Sequence, residues 1–574
     1  MIKRLLRFFE GYRIFAILCP LFMIAEVFCD VMIPRLMGMT INEGILQENI
    51  SMVYKNGYLM IGLAFFGLVT GGLSSYFASK AGQGFGYNLR GAIYRKIQTF
   101  SFANLDEFDQ STLITRLTND VTRLSNIARM TLRMAVRAPS MFLMAFIMAL
   151  TISPRLSLIF AVAIPVLGIV LFLLMRKAFP RFRVFQKAID RINHRVQENL
   201  TNIRNVKSFV SEDFEIEKFK EDNENLYMRG IEALNVVMTL FPFMFLVMYS
   251  TIIAVLWFGG SLVISGDMLT GDLFSFVMFI SQILMSLMML SMLIMNYTRA
   301  KASAERVIEI LNTRPDLVSP ENGSKEIANG AFEFRDVSFR YPKAKVDSLS
   351  HVNLKVESGQ TVAVVGSTGS SKSTLVQLLP RLYDVREGLV TVAGKDVKEY
   401  DLKYLRDKVA IVLQQNTLFT GTIRENLMWG DPEASDEKIW RMLEICQAAD
   451  FIRAKEGLDS WVEQGGANYS GGQKQRLCLA RSLMKDPKIL IFDDSTSAVD
   501  MATEASLRRE LHDYAPDITK VIIAQRIRSV EHADLIVVLE RGEINGLGTH
   551  EELLKTNTIY QEIYQSQQKE AIAG

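Results

Sequence analysis

Cysteine is scarce in this chain of 574 residues: four, Cys19, Cys29, Cys446 and Cys478, with no CxxC pair among them. That spacing indicates neither a zinc site nor a disulfide framework, and free buried thiols are the plainer reading. Charge is also thin. Only 22% of residues are charged, and 64 cations against 62 acids leave a formal net charge of +2. The cations are spread over several segments instead of one basic stripe, so no nucleic-acid partner is expected.

What the chain has in excess is apolar residues, 49% of the total, richer than soluble globular averages. They crowd into the first half. Ile14 to Ile33, Tyr58 to Phe77, Val136 to Ser153, Leu156 to Met175, Val236 to Ile264 and Leu273 to Met295 approach or exceed the roughly 20 residues that cross a bilayer. Ahead of them, Met1 to Phe9 carries Lys3, Arg4 and Arg7. The run behind it is too long for a signal peptide and lacks a small-residue cleavage site, so it reads as an amphipathic helix on the inner membrane surface before a retained first span.

Orientation follows from the loops. Arg90, Arg95, Lys96, Arg116 and Arg123 follow the second run, and Arg176, Lys177, Arg181, Arg183 and Lys187 follow the fourth, whereas Ser265 to Asp272 has no cation. The positive-inside rule therefore puts both termini and the two long loops in the cytoplasm, with the chain integral to the plasma or bacterial inner membrane. Glu26 and Asp30 share a face of the first span. They line a cargo cavity, pair with an arginine such as Arg35 or Arg137, or simply sit near the outer interface. Met285, Met289 and Met292 in the last span suit apolar cargo or fill gaps between helices.

After Arg299 polar residues take over, and Asn312 to Gly323 has the Pro, Asn-Gly and charge content of a linker. The division expected is 1–312 for the membrane domain, 313–328 for the linker and 329–574 for a second domain. There, Phe332-Glu-Phe334-Arg-Asp-Val337-Ser-Phe339 alternates like an antiparallel strand, and strand and helix patterns then interleave. The fold class expected is an all-α membrane domain of six helices followed by an α/β P-loop nucleotide-binding domain with an antiparallel β lobe.

The chemistry sits in three places in that second domain. Val362 to Val365 is an apolar run breaking into Gly366-Ser367-Thr368-Gly369-Ser370-Ser371-Lys372-Ser373-Thr374. Loop and helix N–H groups cradle phosphates there, Lys372 adds a charge and Ser373 reaches Mg²⁺. Lys488 to Asp493 is a second buried run ending in acid, suited to Mg²⁺. Between them lies Ser470-Gly471-Gly472-Gln473.

That last motif resembles the signature of ATP-binding cassette (ABC) proteins, and six spans followed by one cassette resemble a half of an ABC exporter over nearly the full chain. The resemblance implies ATP and Mg²⁺ as cofactors. It implies stacking of Tyr341 on adenine, a contact of Gln414 with Mg²⁺, Asp493 as metal-side carboxylate, and Ser497 to Asp500 as a loop crossing a dimer interface. It also implies coupling helices within Phe102 to Asp120 and Phe209 to Phe219. Three positions depart from an active cassette. Asp494 stands where hydrolytic sites have Glu, one methylene too short for its water. Gln525 stands where the switch histidine belongs. Ser371 replaces a glycine that approaches phosphate. The resemblance thus implies the degenerate half of a heterodimer, more than a homodimer, whose signature serves a partner half-transporter's ATP. Its cargo would be an amphipathic small molecule or lipid. The rival reading is an ATP-sensing membrane scaffold or gated channel.

Overall fold

The computed structural model describes residues 2–493, 501–524 and 526–573. The chain divides into two compact units, one of Met1–Lys96 with Leu113–Asn312, the other of Ile97–Thr112 with Thr313–Gly574.

Among the helices up to residue 312 are α1 (Arg13–Met39), α2 (Ile50–Gln98), α3 (Phe102–Glu107), α4 (Val121–Ile152), α5 (Pro154–Thr201), α6 (Glu212–Met238), α7 (Leu240–Ile264) and α8 (Thr270–Asn312). Among the described residues, six helices are long and apolar enough to cross a membrane. Helix is the form such runs take because no water in a bilayer core can serve backbone N–H and C=O groups. The fifth run differs from expectation: it breaks at Thr239, and the membrane-length helix is α7, with Pro242 in its first turn. Proline is accommodated in the first turn of a helix, where its missing N–H costs nothing, and the Thr239 hydroxyl donates back to Val236 O at 2.8 Å. Similarly, α5 opens on Ser153, whose Oγ accepts the Leu156 N–H at 3.3 Å ahead of Pro154.

Inside this unit Met23, Val27, Leu167, Phe279 and Ile283 are buried together, and Phe160 stacks on Phe276 at 5.6 Å. α1 and α8 meet glycine to glycine. A Cβ on Gly38 would lie 2.5 Å from Gly271 O, and one on Gly271 would meet Gly38 O in turn. Only small residues permit that approach between membrane helices, and Ser275 Oγ donates across it to Pro34 O at 2.7 Å. A π-helical turn, Arg116–Asp120, is clamped to the far end of α8. Arg116 pairs with Glu309 at 2.8 Å, and the buried Asp120 accepts from Arg306 Nε at 2.8 Å.

The second unit contains β1 (Phe332–Phe339), β2 (Leu349–Val356), β3 (Thr361–Val365), β4 (Glu387–Val392), β5 (Lys395–Asp396), β6 (Val409–Val412), β7 (Gly421–Thr422), β8 (Trp461–Val462), β9 (Ile489–Asp493), β10 (Thr519–Ile523), β11 (Leu535–Glu540) and β12 (Glu543–Gly548). One sheet, in the order β2-β1-β4-β5, is antiparallel. A second runs β12-β11-β3-β10-β9-β6, parallel except for β12, and β7 pairs antiparallel with β8 in a third. All five residues of β9 are buried, as a continuous apolar run must be when both faces of a parallel sheet are covered. The alternation of β1 is interrupted between Phe334 and Val337, where Asp336 takes φ +52° and its N–H is accepted by Asn353 Oδ1 at 2.9 Å. Two helices matter for the site: α9 (Lys372–Gln377) after β3 and α10 (Gly471–Leu483) before β9.

Candidate nucleotide site

Parallel pairing sets β6, β9, β10 and β3 side by side, and their carboxyl ends share one edge. That edge is where open α/β sheets bind ligands. From it Gly366 leads out of β3, Asp493 closes β9, and exposed Gln414 lies two residues beyond β6.

The loop from Gly366 to Ser371 has the conformation its composition demands at two points. Gly366 has φ +155°, and a Cβ there would strike Leu539 O and lie 2.8 Å from Ser370 Oγ. Ser371, immediately before α9, has φ +73° and ψ +27°. A non-glycine residue in this left-handed region carries a strain of roughly 1–2 kcal/mol. Between them, Ser370 is buried, with its Oγ lacking a hydrogen-bond partner among the described residues. Lys372 Nζ folds back to donate to Gly366 O at 3.0 Å and Ser367 O at 2.9 Å.

Ser373 Oγ donates to Asp493 Oδ1 at 2.6 Å, which brings together the hydroxyl and the carboxylate that the two motifs proposed for Mg²⁺. Two hard oxygen donors at the opening of a helix suit that ion. Beside them the Tyr341 hydroxyl shares a hydrogen bond with Thr374 Oγ1 at 3.0 Å. The Tyr341 ring is half-buried, edge-on to Phe339 at 4.9 Å and to Tyr383 at 5.3 Å. Burial pushes the Tyr341 phenol above its ordinary range. Tyr383 is raised in the same way, by burial first and then by the Asp106 carboxylate. Both therefore stay neutral hydroxyls at physiological pH.

Tyr383 is a residue that motif reasoning passed over. Its hydroxyl donates to Asp106 Oδ2 at 2.8 Å, and Phe102 lies 6.0 Å from its ring. Asp106 and Phe102 belong to α3, which is capped by the reciprocal Ser101–Asn104 pair. α3 is fastened further by Lys343 Nζ to Asp106 O at 3.1 Å and by Asn104 Nδ2 to Asp316 Oδ2 at 3.1 Å. The only advance signal was aromatic content just after the P-loop helix.

Ser470 is the N-cap of α10. Its Oγ accepts the Gln473 N–H at 3.3 Å, and its own N–H donates to Gln473 Oε1 at 3.0 Å, a reciprocal capping box. Ser470 and Gly471 are exposed at the N-terminus of a 13-residue helix, the kind of helix end that receives anions. Asp494, Ser497, Asp500 and Gln525 lie outside the described residues.

In the helical unit, Glu26 and Asp30 both meet Arg137, Asp30 Oδ2 at 2.8 Å. Gln282 Nε2 donates to Asp30 O at 2.8 Å. Glu26 is tucked against α2, where a Cβ on Gly71 would lie 2.9 Å from its Cδ. Arg35 pairs instead with Asp272 at 3.1 Å. Of the methionines, Met285 is exposed and Met289 half-buried, and the Met292 side chain lies outside those described. All four cysteines are free and buried. Burial pushes the Cys446 thiol far up, and no cluster of metal-binding side chains occurs among the described residues.

Comparison with known proteins adds to this geometry. Residues 16–287 match the family model described as ABC transporter transmembrane region, and residues 349–497 match the one described as ABC transporter. The chain is 37% identical over 567 residues to an uncharacterized ABC transporter ATP-binding protein, YfiB, of Bacillus subtilis, covering 98% of each. It is 34% identical over 568 residues to an uncharacterized ABC transporter ATP-binding protein, Rv1273c, of Mycobacterium tuberculosis, covering 98% of this chain and 97% of that one. A putative ABC transporter ATP-binding protein, MG014, of Mycoplasma genitalium is 32% identical over 597 residues, with 96% of each covered.

Proposed function

Because this chain belongs to the ABC transporters, with a membrane region fused to an ATP-hydrolysing cassette, we propose that it is the degenerate half of a heterodimeric exporter of amphipathic compounds. The observation that carries this reading is a contrast within one cassette. The signature Ser470 to Gln473 is intact, capped and exposed, while the chain's own phosphate loop holds Ser371 at φ +73° and is followed in sequence by Asp494 and Gln525.

Division of labour follows. Lys372, the loop N–H groups, Ser373, Gln414 and Asp493 hold ATP and Mg²⁺ on this chain, where the bound ion neutralises phosphate charge. Asp494 reaches too short to act as a base. The N–H groups at the start of α10 stabilise the γ-phosphate on a partner's P-loop, where hydrolysis occurs. The exposed tip Phe209 and Val210, 79% and 82% accessible, fits docking on a partner cassette, since apolar surface of that kind marks an interface. Both termini and the cassette face the cytoplasm, by the loop cations.

The test is cargo uptake into inverted vesicles with and without a hydrolysis-competent partner chain. Uptake only with the partner supports the exporter reading. ATP-dependent conductance or binding without uptake would favour a scaffold or channel, and full activity of this chain alone would mean a homodimer.

A further inference from the structure

The sequence points to acids, Glu26 and Asp30, as the charged part of the cargo path, but both are occupied by Arg137. A different charge is free. A cavity of about 750 Å³ opens in the helical unit between α5, α4 and α8, lined by Phe179, Phe182, Arg183, Phe185 and Gln186 of α5 and by Arg123, which follows the π-helical turn into α4. It begins where the fourth apolar run ends at Met175, so it lies at the edge of the hydrocarbon layer. The α5 members recur at intervals of three and four and thus form one stripe.

Cations at this depth are ordinary inner-surface anchors when they point into solvent. Here both side chains, though exposed, border a concave aromatic wall. Among the described residues no carboxylate lines the cavity, and neither Arg123 nor Arg183 is in an ion pair. Asp120, whose carboxyl feels Arg123, is already held by Arg306, and Gln186 Nε2 donates to Asp190 at 3.2 Å. Two uncompensated guanidiniums beside three phenyl rings favour one ligand class: an aromatic or alkyl body with an anionic head. The volume suits a drug-sized molecule.

We propose that this cavity is the intake site for the cargo and that the cargo is an anionic amphiphile. As cargo selectivity the proposal rests on the exporter reading; as a binding site it rests on these side chains alone.

The probes are two photoreactive twins, a dodecyl aryl azide bearing a sulfonate and the same compound bearing trimethylammonium, applied to the full-length chain with its partner in lipid nanodiscs. Peptide mass mapping should find the sulfonate on 175–186 at least tenfold more than the ammonium. Arg183→Gln and Arg123→Gln should each cut that label several-fold, Arg183→Lys should restore it, and Arg183→Glu should reverse the preference; intact gel-filtration profiles exclude misfolding. Equal labelling by both twins, or labelling indifferent to both arginines, overturns the site. A sulfonate that labels the cavity yet is never taken up by vesicles leaves the site standing and defeats the exporter reading. Uptake of the sulfonate without label on 175–186 does the reverse.

Discussion

Tyr383 and Asp106 stand 277 residues apart in sequence and share a hydrogen bond of 2.8 Å. Through it α3 is tied to the ring that packs edge-on against Tyr341, and Tyr341 is bonded to the helix of the phosphate cradle. A displacement of Tyr341 therefore has a direct route to α3.

Tyr383→Phe removes the hydroxyl and keeps the ring. A hydrogen bond of this kind is worth about 1 kcal/mol, so hydrogen exchange of the Phe102–Glu107 amides should quicken by roughly fivefold while the β-sheet amides are unchanged. Exchange at wild-type rates would show that Lys343 and Asn104 hold α3 without it. Asp106→Asn should reproduce the effect and add little to Tyr383→Phe.

At the cradle, Ser371→Gly relieves a left-handed residue and clears a Cβ from the phosphate path. Nucleotide affinity at this chain's own loop should tighten by up to about tenfold, equivalent to about 1.4 kcal/mol, as read by titration with a fluorescent ATP analogue. Turnover should stay flat, because Asp494 and Gln525 are unaltered. A large gain in turnover would show that those two positions do not limit hydrolysis.

Ser470→Arg should reduce ATPase activity of the assembled transporter about 100-fold or more, the scale for removing aligned donors from a developing anionic charge. Asp494→Ala should change it by less than about twofold. The opposite pattern in the purified complex would make this chain's own site the engine.

Arg137→Met leaves Glu26 and Asp30 facing each other with no cation between them. Stripping the partner from a semi-buried acid pair should cost roughly 3 kcal/mol, seen as a lowered unfolding midpoint in detergent. Adding Glu26→Gln and Asp30→Asn should recover most of it. If the triple variant is no more stable than Arg137→Met, the arginine matters for packing and not for charge.

Local rules explain what was legible beforehand. The apolar runs announce helices of membrane length because lipid tolerates little else. The cradle is readable because β3, Gly366 and Lys372 are adjacent and each has one structural use. Harder to foresee were features that join distant segments. The grouping of Ile97–Thr112 with the cassette depends on contacts to Tyr383, Lys343 and Asp316, none of which carries a motif. That Arg137, one of the two arginines open in the sequence, takes both first-span acids while Arg35 goes to Asp272 depends on where α4 crosses α1. The break at Thr239 was hidden because the hydropathy on either side of it is continuous.

The glycine contact between α1 and α8 has a mechanical consequence. A joint in which backbone meets backbone, bridged by the short side chains of Ser275 and Asn42, has no long flexible stems to stretch, so it does not loosen by degrees. The ends of α1 and α8 are thereby held as one stiff pair, and compliance is left to neighbours that touch through longer side chains. A single methyl group at Gly38 or Gly271 would wedge that joint apart and lower the stability of the helical unit, with no change at any residue of the nucleotide site.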